Sequence, residues 1–486
     1  MTTAINPAAD LRARLSVESR DGWQWSVARP WQTNAALILI GATLFFLTRQ
    51  LVSEYNHFTI GFSGVSGWSS ILYLAAVFLI LTQPVDRFTF PIILAVAIAC
   101  RLVTLFAEPY LSTDIYRYVW DGVVQHAHIS PYRYVPGDPV LGFLRGPNQD
   151  VFDNINRRDY AHTIYPPAAQ ALFYLITWIS PTVTFMKTVM VLFEGVTMYG
   201  LVTLLRYLGV RREQTLLYAW CPLLIWEVAG SGHLDSVAMA FIVLALLARY
   251  RRQPLLTGLF LAVAILLKFY PLVLLPALYR RGDWKMPATV AAVIAAGYAA
   301  YSSVGVLVFG FLGGYVKEEG MASGSRYFLL ELVQRVPGLN NFTTTAYYFF
   351  CTAFFGAIVW WCWRTASGDG SERVDGFLAV GEASFLAPAF SLAAALMFLF
   401  SPHYAWYILW LVPFFTLMPN LPVLAYLLGF FYLYTTALAE PGPKMFLANE
   451  ILYGAVAAAT VLQIIFMRWP VHRGLFVQRN TTGEML

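Results

Sequence analysis

The chain has 486 residues, of which 58% are hydrophobic and only 12% are charged, and its mean hydropathy is +0.60. Soluble domains carry about 25% charged residues, so this composition excludes an ordinary globular protein and indicates a polytopic membrane protein. The net charge of +5 comes from Arg and Lys near the ends of apolar segments, which is a topology signal and argues against a nucleic-acid-binding surface.

Residues 1–30 are polar and contain several arginines, without the apolar core and cleavage site of a signal peptide. We therefore expect segment 1–34 to be cytoplasmic and the first apolar helix to remain as an anchor. The four cysteines lie in apolar stretches without paired spacing, which favours packing roles over disulfides or metal ligation.

Apolar runs long enough to cross a bilayer predict an all-α bundle of about 12–14 transmembrane helices, since a span needs about 20 residues. Two further stretches are ambiguous: 166–181 is short, and 254–279 is interrupted by Lys268-Phe269-Tyr270-Pro271. Each of them could be re-entrant or juxtamembrane. The other candidate helices lie near 35–51, 67–82, 88–107, 183–205, 215–231, 234–249, 287–312, 344–363, 377–400, 403–418, 421–438 and 447–467.

Clusters of Arg and Lys assign the two sides of the membrane, because cytoplasmic loops carry an excess of these residues. If neither ambiguous stretch makes a net crossing, all basic clusters and the tail 468–486 are cytoplasmic. The polar loops 108–165 and 313–343 then face the extracytoplasmic side. We expect one membrane-embedded domain over 35–467, with three further motifs on that same side: Gly230–Asp235, Lys268–Pro271 and Ser401–Tyr404.

The first loop opens with an acidic, aromatic stretch that has no helix breaker from Thr113 to Gln125. This pattern predicts a short helix on the membrane surface. We predict that Asp114 takes a proton from an acceptor hydroxyl, while Arg117 and Asp121 on the same helix face orient it or tune its pKa. The structural alternative is that Asp114 caps the helix and Asp121 pairs with Arg117 at the surface.

Pro-Tyr turns later in the loop display Tyr132 and Tyr165. Such rings can stack on a sugar or simply anchor the chain at the bilayer interface. A second cluster, Trp226 to Asp235, combines small residues with a His233-x-Asp235 pair. Two ligands without a third favour a structural or substrate-orienting role over a metal site.

Three cationic or titratable residues suit a lipid-linked phosphate. Lys268 sits inside an apolar run beside a Tyr-Pro break, where it could bind a phosphate or snorkel to the interface. His403 precedes Tyr404 between two apolar helices and can donate a hydrogen bond to a phosphate oxygen, or simply cap a helix. Arg326 in the loop 313–343 is a further candidate for the same anion.

Taken in chain order, these fragments resemble membrane glycosyltransferases of the GT-C superfamily. Within it, they are similar to bacterial polyprenyl-phosphate-dependent hexosyltransferases of family 87 and to mycobacterial mannosyltransferases. The resemblance rests on Asp114-x-x-Arg117-Tyr118-x-x-Asp121-Gly122, Ser130-Pro131-Tyr132-x-Tyr134-x-Pro136, Tyr165-Pro166-Pro167-x-x-Gln170, Pro222 through His233-x-Asp235, Lys268-Phe269-Tyr270-Pro271-Leu272 and Ser401-Pro402-His403-Tyr404-x-x-Tyr407.

The resemblance implies a GT-C-like bundle whose first extracytoplasmic loop supplies the catalytic base, which maps onto Asp114 with Asp121 in reserve. It also implies a polyprenyl-phosphate sugar donor, a lipid-linked or cell-envelope glycan acceptor and inversion at the anomeric carbon, with mannose as the sugar. Binding of the donor phosphate is assigned to Arg117, Lys268, His403 and Arg326. Contacts with the substrates are assigned to Tyr118, Tyr132, Tyr165, His233, Asp235 and Tyr404.

No cofactor is expected. Metal-dependent oligosaccharyltransferases carry an acidic pair spaced by one residue, and its absence from the first loop argues against a divalent metal. The resemblance places the protein in a bacterial cytoplasmic membrane, with its active site on the extracytoplasmic side. Its partners would then be the donor, the acceptor and membrane lipids, with no nucleic acid.

Two other functions remain open. A transporter or flippase of lipid-linked sugars would use 166–181 and 254–279 as discontinuous helices. Its ionisable groups would lie near the membrane midplane, and its two halves would match, whereas here the charged motifs gather at one face and no matching halves are evident. A GT-C-type glycan ligase is the third possibility.

Overall fold

The computed structural model describes residues 28–53, 60–109, 111–365, 383–401, 403–429 and 443–468. Within these ranges the chain is helical and forms no strand, which confirms the all-α, polytopic membrane class. Most of the segments 1–34 and 468–486 lies outside the described residues, as do parts of the candidate helices 377–400 and 421–438.

The N-terminal helices form a compact group followed by the first long loop. One short helix in that loop, α4, begins and ends within one residue of the predicted helix, and it packs across α7. The elements are α1 (Pro30–Ser53), α2 (Ile60–Thr82), α3 (Thr89–Leu105), α4 (Asp114–His126), α5 (Gly142–Arg145), α6 (Gln149–Asp153), α7 (Pro167–Ile179) and α8 (Val183–Tyr207).

The predicted helix 215–231 is wrong as a single element. It is divided into α9 (Leu216–Ala219), α10 (Pro222–Leu224) and a π-helix (Ile225–Gly230), because Pro222 has no amide hydrogen to continue a helix. After a turn that contains Gly232 at φ +76°, the chain continues as α11 (Asp235–Tyr250). The chain direction bends by 118° between the two arms of this broken span.

The next helices also contain breaks. The helix α12 ends at Leu267, so the predicted interruption at Lys268 is confirmed, and the predicted helix 287–312 is wrong as one element because it bends by 111°. The elements are α12 (Pro254–Leu267), α13 (Leu275–Leu278), α14 (Lys285–Ala300), α15 (Leu312–Glu318), α16 (Phe328–Gln334), α17 (Thr344–Thr365), α18 (Leu386–Phe400), α19 (Leu411–Leu417), α20 (Leu421–Gly429) and α21 (Pro443–Arg468).

Four described helices are long and apolar enough to cross a membrane, or up to six if each of two sharply bent pairs is one span. Shorter apolar helices accompany them, among them α7 and α12. With 13 residues, α7 is about 20 Å long, less than the roughly 30 Å of bilayer hydrocarbon. Whether α7 and α12 cross the bilayer, and the total of about 12–14 crossings, stay predictions.

Buried charges tie the bundle together. Arg101 of α3 forms a two-point ion pair with Glu194 of α8, with both N–O distances 2.8 Å. Lys187 of α8 donates to the carbonyls of Thr104 and Ala107, at 2.9 and 2.6 Å, and so satisfies the C-terminal end of α3. Because each charge has a partner, these groups are structural.

The two polar loops lie together at one end of the bundle. The amide of Phe311 donates to the carbonyl of Thr163 at 3.2 Å, and Arg157 pairs with Glu318 at 2.8 Å. These contacts join the loops 108–165 and 313–343 near the N-terminal end of α4. The motifs of both loops therefore meet around Asp114.

Candidate active site

Asp114 is the first residue of α4 and is half-buried. The side-chain amide of Asn156 donates to its Oδ1 at 3.0 Å and to the hydroxyl of Thr113 at 3.1 Å. Within the described part of the chain, Oδ2 of Asp114 has no hydrogen-bond donor. One carboxylate oxygen is thus fixed by the loop, and the other is available to a substrate hydroxyl.

Asp121, about two turns of helix further on, has a different environment. Arg117 Nε lies 2.7 Å from its Oδ1, and Gln170 of α7 donates to its Oδ2 at 2.9 Å. Arg117 also donates through Nη1 to the carbonyl of Ala161 at 3.1 Å. The pairing matches the structural alternative, except that both partners are buried and not at the surface.

One polar atom of this network has no protein partner. Nη2 of Arg117 is buried and without a hydrogen-bond acceptor among the described residues. A buried guanidinium nitrogen of this kind is costly unless it meets an acceptor. Arg117 therefore holds Asp121 and retains one donor without a partner in the described ranges.

The broken span between the π-helix and α11 brings three ionisable side chains into the interior. Glu227, His233 and Asp235 are all buried. His233 Nε2 lies 3.2 Å from a carboxylate oxygen of Glu227, without the geometry of a hydrogen bond. Ionisable side chains are rare inside membrane proteins, which makes this group a candidate for function. Glu227 is the member that the sequence analysis did not single out.

Lys268 reaches the same region from the end of α12. Its ammonium nitrogen lies 3.0 Å from Oδ2 of Asp235, and the hydroxyl of Tyr270 donates to Oδ1 at 3.2 Å. The ammonium nitrogen is also 5.8 Å from the ring centre of Tyr407. Lys268 is thus held in the protein interior by an acid and an aromatic ring, and does not simply snorkel to the surface.

Tyr118 connects the loop helix with the broken span. Its ring stacks on Phe173 at 4.7 Å and meets Tyr165 edge-on at 4.9 Å. Burial raises the pKa of Tyr118 well above its usual value, and the carboxylates of Asp114 and Asp235 raise it further. Asp114 and Asp235 therefore act on one phenol from two different elements.

Tyr132 stands behind this group. Its hydroxyl donates to the carbonyl of Tyr165 at 2.7 Å, so the hydroxyl supports the backbone of the Tyr-Pro-Pro turn.

The ring of His233 stacks on Trp406 at 4.5 Å, and Trp406 stacks in turn on Tyr404 at 4.5 Å. The three stacked rings form an aromatic wall beside the buried charges.

Arg326 and His403 lie close to each other, and Arg326 is 5.8 Å from the ring centre of Tyr407. Arg326 is buried, forms an ion pair with Glu319 and donates through Nε to the carbonyl of Phe400 at 3.2 Å. Burial, together with the Arg326 charge, lowers the pKa of His403 to about 4. Pro402 of the same motif lies outside the described residues.

The electrostatic environment of Tyr404 connects Arg326 and His403 with Asp114. Burial and the Glu319 carboxylate raise the pKa of Tyr404, and Asp114 adds to the same shift while Arg157 opposes it. The structure thus places both phosphate candidates of this region, Arg326 and His403, in the neighbourhood of Asp114. All of the predicted site residues stay predictions as to their roles.

Two supporting residues are not among the predicted site residues. Asn156 fixes Asp114, and Gln170 bridges Asp121 to the hydroxyl of Thr163 at 2.9 Å. Gln170 follows the Tyr165-Pro166-Pro167 motif, so its position in the fragment was the signal. Asn156 had none, because an Asn in a loop is ordinary.

No group of three His, Cys, Asp or Glu side chains in the described ranges is placed to hold a metal ion. The expectation that the protein uses no divalent metal stays a prediction. The described site residues include one half-free carboxylate, buried cations and aromatic rings, a combination that suits acid-base and electrostatic chemistry.

Two family models match the chain. The model described as alpha-(1->6)-mannopyranosyltransferase, N-terminal domain, matches residues 37–280, and glycosyltransferase family 87 matches residues 163–402. No curated protein and no solved structure matches. The first match covers half of the chain and contains Asp114, Asp235 and Lys268. The chain therefore belongs to the alpha-(1->6)-mannopyranosyltransferase family, within the GT-C superfamily of membrane glycosyltransferases.

Proposed function

We propose that this membrane glycosyltransferase transfers mannose from a polyprenyl monophosphate to a hydroxyl of a lipid-linked or cell-envelope glycan, with inversion at the anomeric carbon. The observation that carries the proposal is the half-buried carboxylate of Asp114. Asn156 fixes one of its oxygens, and the other has no donor among the described residues. Mannose, and an alpha-(1->6) linkage, are supported by the description of the matching family.

The reaction needs one base and little acid. Oδ2 of Asp114 accepts the proton of the acceptor hydroxyl as its oxygen bonds to the anomeric carbon. The bond from that carbon to the phosphate oxygen breaks at the same time, and the polyprenyl phosphate leaves as an anion. Displacement in one step from the opposite face inverts the configuration.

The leaving phosphate requires positive or donor groups that are already in place. Arg117 supplies a buried Nη2 that has no acceptor in the part of the chain that the structure describes. Lys268 forms an ion pair with Asp235, and Arg326 forms one with Glu319. Each cation is thus held in position and can bind a phosphate oxygen without a large movement of its side chain. Because its pKa is lowered to about 4, His403 is neutral at pH 7 and acts as an N–H donor.

The remaining predicted contacts position the sugars. Tyr118 and Tyr165 lie between Asp114 and the broken span, and Tyr404 extends the aromatic wall that begins at His233. Tyr132 acts through the turn that it supports. We place this site on the extracytoplasmic side of a bacterial cytoplasmic membrane, since the basic clusters lie at the other helix ends.

One observation favours a second candidate function. Glu227, His233, Asp235 and Lys268 form a buried ionisable cluster at a broken span, which is also how transporters of polar substrates build their sites. A flippase of lipid-linked sugars would use this cluster to bind the headgroup and would leave the glycosidic bond intact.

A reconstitution experiment separates the two. Purified protein in liposomes is given radiolabelled polyprenyl-phosphate mannose and, in a parallel sample, a mannose nucleotide. The transferase is expected to release or transfer mannose from the lipid donor alone. Movement of intact donor between leaflets without bond cleavage would instead support the flippase, and use of the nucleotide donor would contradict the proposed donor class.

A further inference from the structure

A second charged site lies at the opposite end of the bundle from Asp114. A cavity of about 200 Å³ is lined by Arg249 near the end of α11 and by the start of α12. Arg249 is separated from Asp235 by nearly the whole of α11, about 21 Å at 1.5 Å per residue. The helix α12 returns along α11 to Lys268, so this cavity is distant from the candidate active site.

Positive charge dominates the lining. Arg249, Arg252 and Arg280 contribute three guanidinium groups, against one carboxylate from Asp283. That carboxylate already accepts a hydrogen bond at 3.1 Å from the amide of Lys285, at the start of α14. The lining of this small, partly apolar space thus contains more guanidinium groups than carboxylates.

Two of these arginines have unused donors. Arg249 donates through Nε to the carbonyl of Leu278 at 2.8 Å and lies 5.1 Å from the ring centre of Phe385. Its Nη1 and Nη2 have no acceptor within the described ranges. The side chain of Arg280 makes no hydrogen bond or ion pair there either. A guanidinium group held in place, as in Arg249, with a second one free to close on a ligand, as in Arg280, suits phosphate or carboxylate oxygens.

The N-terminal end of α12 adds to the positive electrostatic potential of the cavity. Thr257 in its first turn and Gln253 before it line the cavity, and α12 is 14 residues long. The amide end of a helix attracts anions. The volume is below the roughly 300–1,000 Å³ of pockets for drug-sized ligands, which fits one phosphate group with a short extension beside the apolar side chains of Leu278 and Met286.

We propose that this cavity binds a phosphate-bearing anion at the membrane face opposite the active site. The phosphate oxygens accept from Arg249 and Arg280, and the apolar side of the cavity contacts the neighbouring ester group. The phosphate can belong to the headgroup of an anionic phospholipid or to a soluble phosphate. The proposal does not depend on the transferase reaction, because no residue of the cavity belongs to that site.

The test uses the full chain in two arms. In the lipid arm, native mass spectrometry counts phosphatidylglycerol retained after release from nanodiscs of phosphatidylglycerol and phosphatidylcholine. In the soluble arm, inorganic phosphate is titrated into lipid-depleted protein and thermal stability is followed. The cavity variants are Arg280→Gln and the double variant Arg249→Gln/Arg280→Gln. The matched control is Arg251→Gln/Arg281→Gln, which removes two neighbouring charges outside the lining.

We expect the cavity variants to lose affinity in one arm by about tenfold or more, as loss of a charge-assisted hydrogen bond implies. The control double variant is expected to bind as the wild type does. A loss confined to phosphatidylglycerol identifies a lipid headgroup, and a loss confined to inorganic phosphate identifies a soluble ligand. Equal binding by cavity and control variants in both arms would overturn the proposal.

Folding of each variant is checked by gel filtration and by mannose transfer. Should the double variant fail to fold, Arg280→Gln alone decides the question, because its side chain has no partner among the described residues to lose. Unchanged binding by a folded Arg280→Gln protein, in both arms, contradicts the site.

Discussion

The ammonium nitrogen of Lys268 lies 3.0 Å from Oδ2 of Asp235, and each residue stands at a break in a helix. The side chain of Asp235 is fully buried, and that of Lys268 is 16% exposed. Two helix breaks are thus joined through opposite charges inside a membrane protein. Because Asp235 and Asp114 both raise the pKa of Tyr118, this ion pair lies in the same region of the protein as Asp114.

Removal of either charge from this pair should destabilise the protein. Asp235→Asn or Lys268→Met leaves an uncompensated buried charge, and such changes cost about 3–5 kcal/mol. The double variant Asp235→Asn/Lys268→Met should recover much of that loss, because no unpaired charge remains. Thermal unfolding in detergent, analysed as a double-mutant cycle, measures the coupling.

The matched control is the exposed pair Arg335–Glu331, whose side chains are 53% and 43% exposed. Its coupling should lie below about 1 kcal/mol. A similarly small coupling energy between Asp235 and Lys268 would contradict the conclusion that these two residues form a buried ion pair. If Lys268 also binds the donor phosphate, the folded double variant should bind donor more weakly.

The turn at Gly232 should not accept a side chain. Its φ of +76° is in the left-handed region, and a Cβ there would overlap the side chain of Ile115 on α4. Gly232→Ala is expected to displace α4, with lower thermal stability and a reduced transfer rate. Gly195→Ala on α8 is the control, since its Cβ would meet nothing. Equal effects of the two substitutions would argue against close packing of α4 on the turn.

Asp121 should matter for stability more than for proton transfer. Both of its oxygens are engaged, by Arg117 and by Gln170. Asp121→Asn replaces one acceptor with a donor and should lower the melting temperature by several degrees. Transfer per folded molecule should fall less than in Asp114→Asn. A fully folded Asp121→Asn protein without activity would make Asp121 the base.

His403 should make the protein sensitive to acid. Its pKa in the folded state is about 4, below the ordinary value of 6.5. As the pH falls below 6.5, the unfolded chain binds a proton that the folded chain excludes, so stability declines towards pH 4. His403→Gln should remove this part of the decline, seen in melting temperatures between pH 7 and pH 4. An unchanged slope would show that His403 is not the group responsible.

The sequence alone predicts those structural features that a short run of residues determines. The loop helix around Asp114 was predicted because no breaker interrupts it, and the break at Lys268 because Pro271 and a charge fall inside an apolar run. Both features are encoded within a few residues.

Other features depend on contacts between distant segments. The π-helix and the 118° bend before Asp235 were missed, because the run 215–231 is apolar enough to look continuous. Asp121 has its second oxygen engaged by Gln170, which is 49 residues away in the sequence. In the same way, Lys268 is paired with Asp235 on another helix. Such partners follow only from tertiary packing.

The most direct test of the central claim compares Asp114→Asn with Asp150→Asn, an exposed acid in the same loop. Donor binding and mannose transfer are measured separately on folded protein. Asp114→Asn should retain donor binding while its transfer rate falls by about 10²–10⁴-fold, the typical contribution of a general base. Asp150→Asn should behave as the wild type. Transfer at the wild-type rate by a folded Asp114→Asn protein would contradict the role of Asp114 as the base.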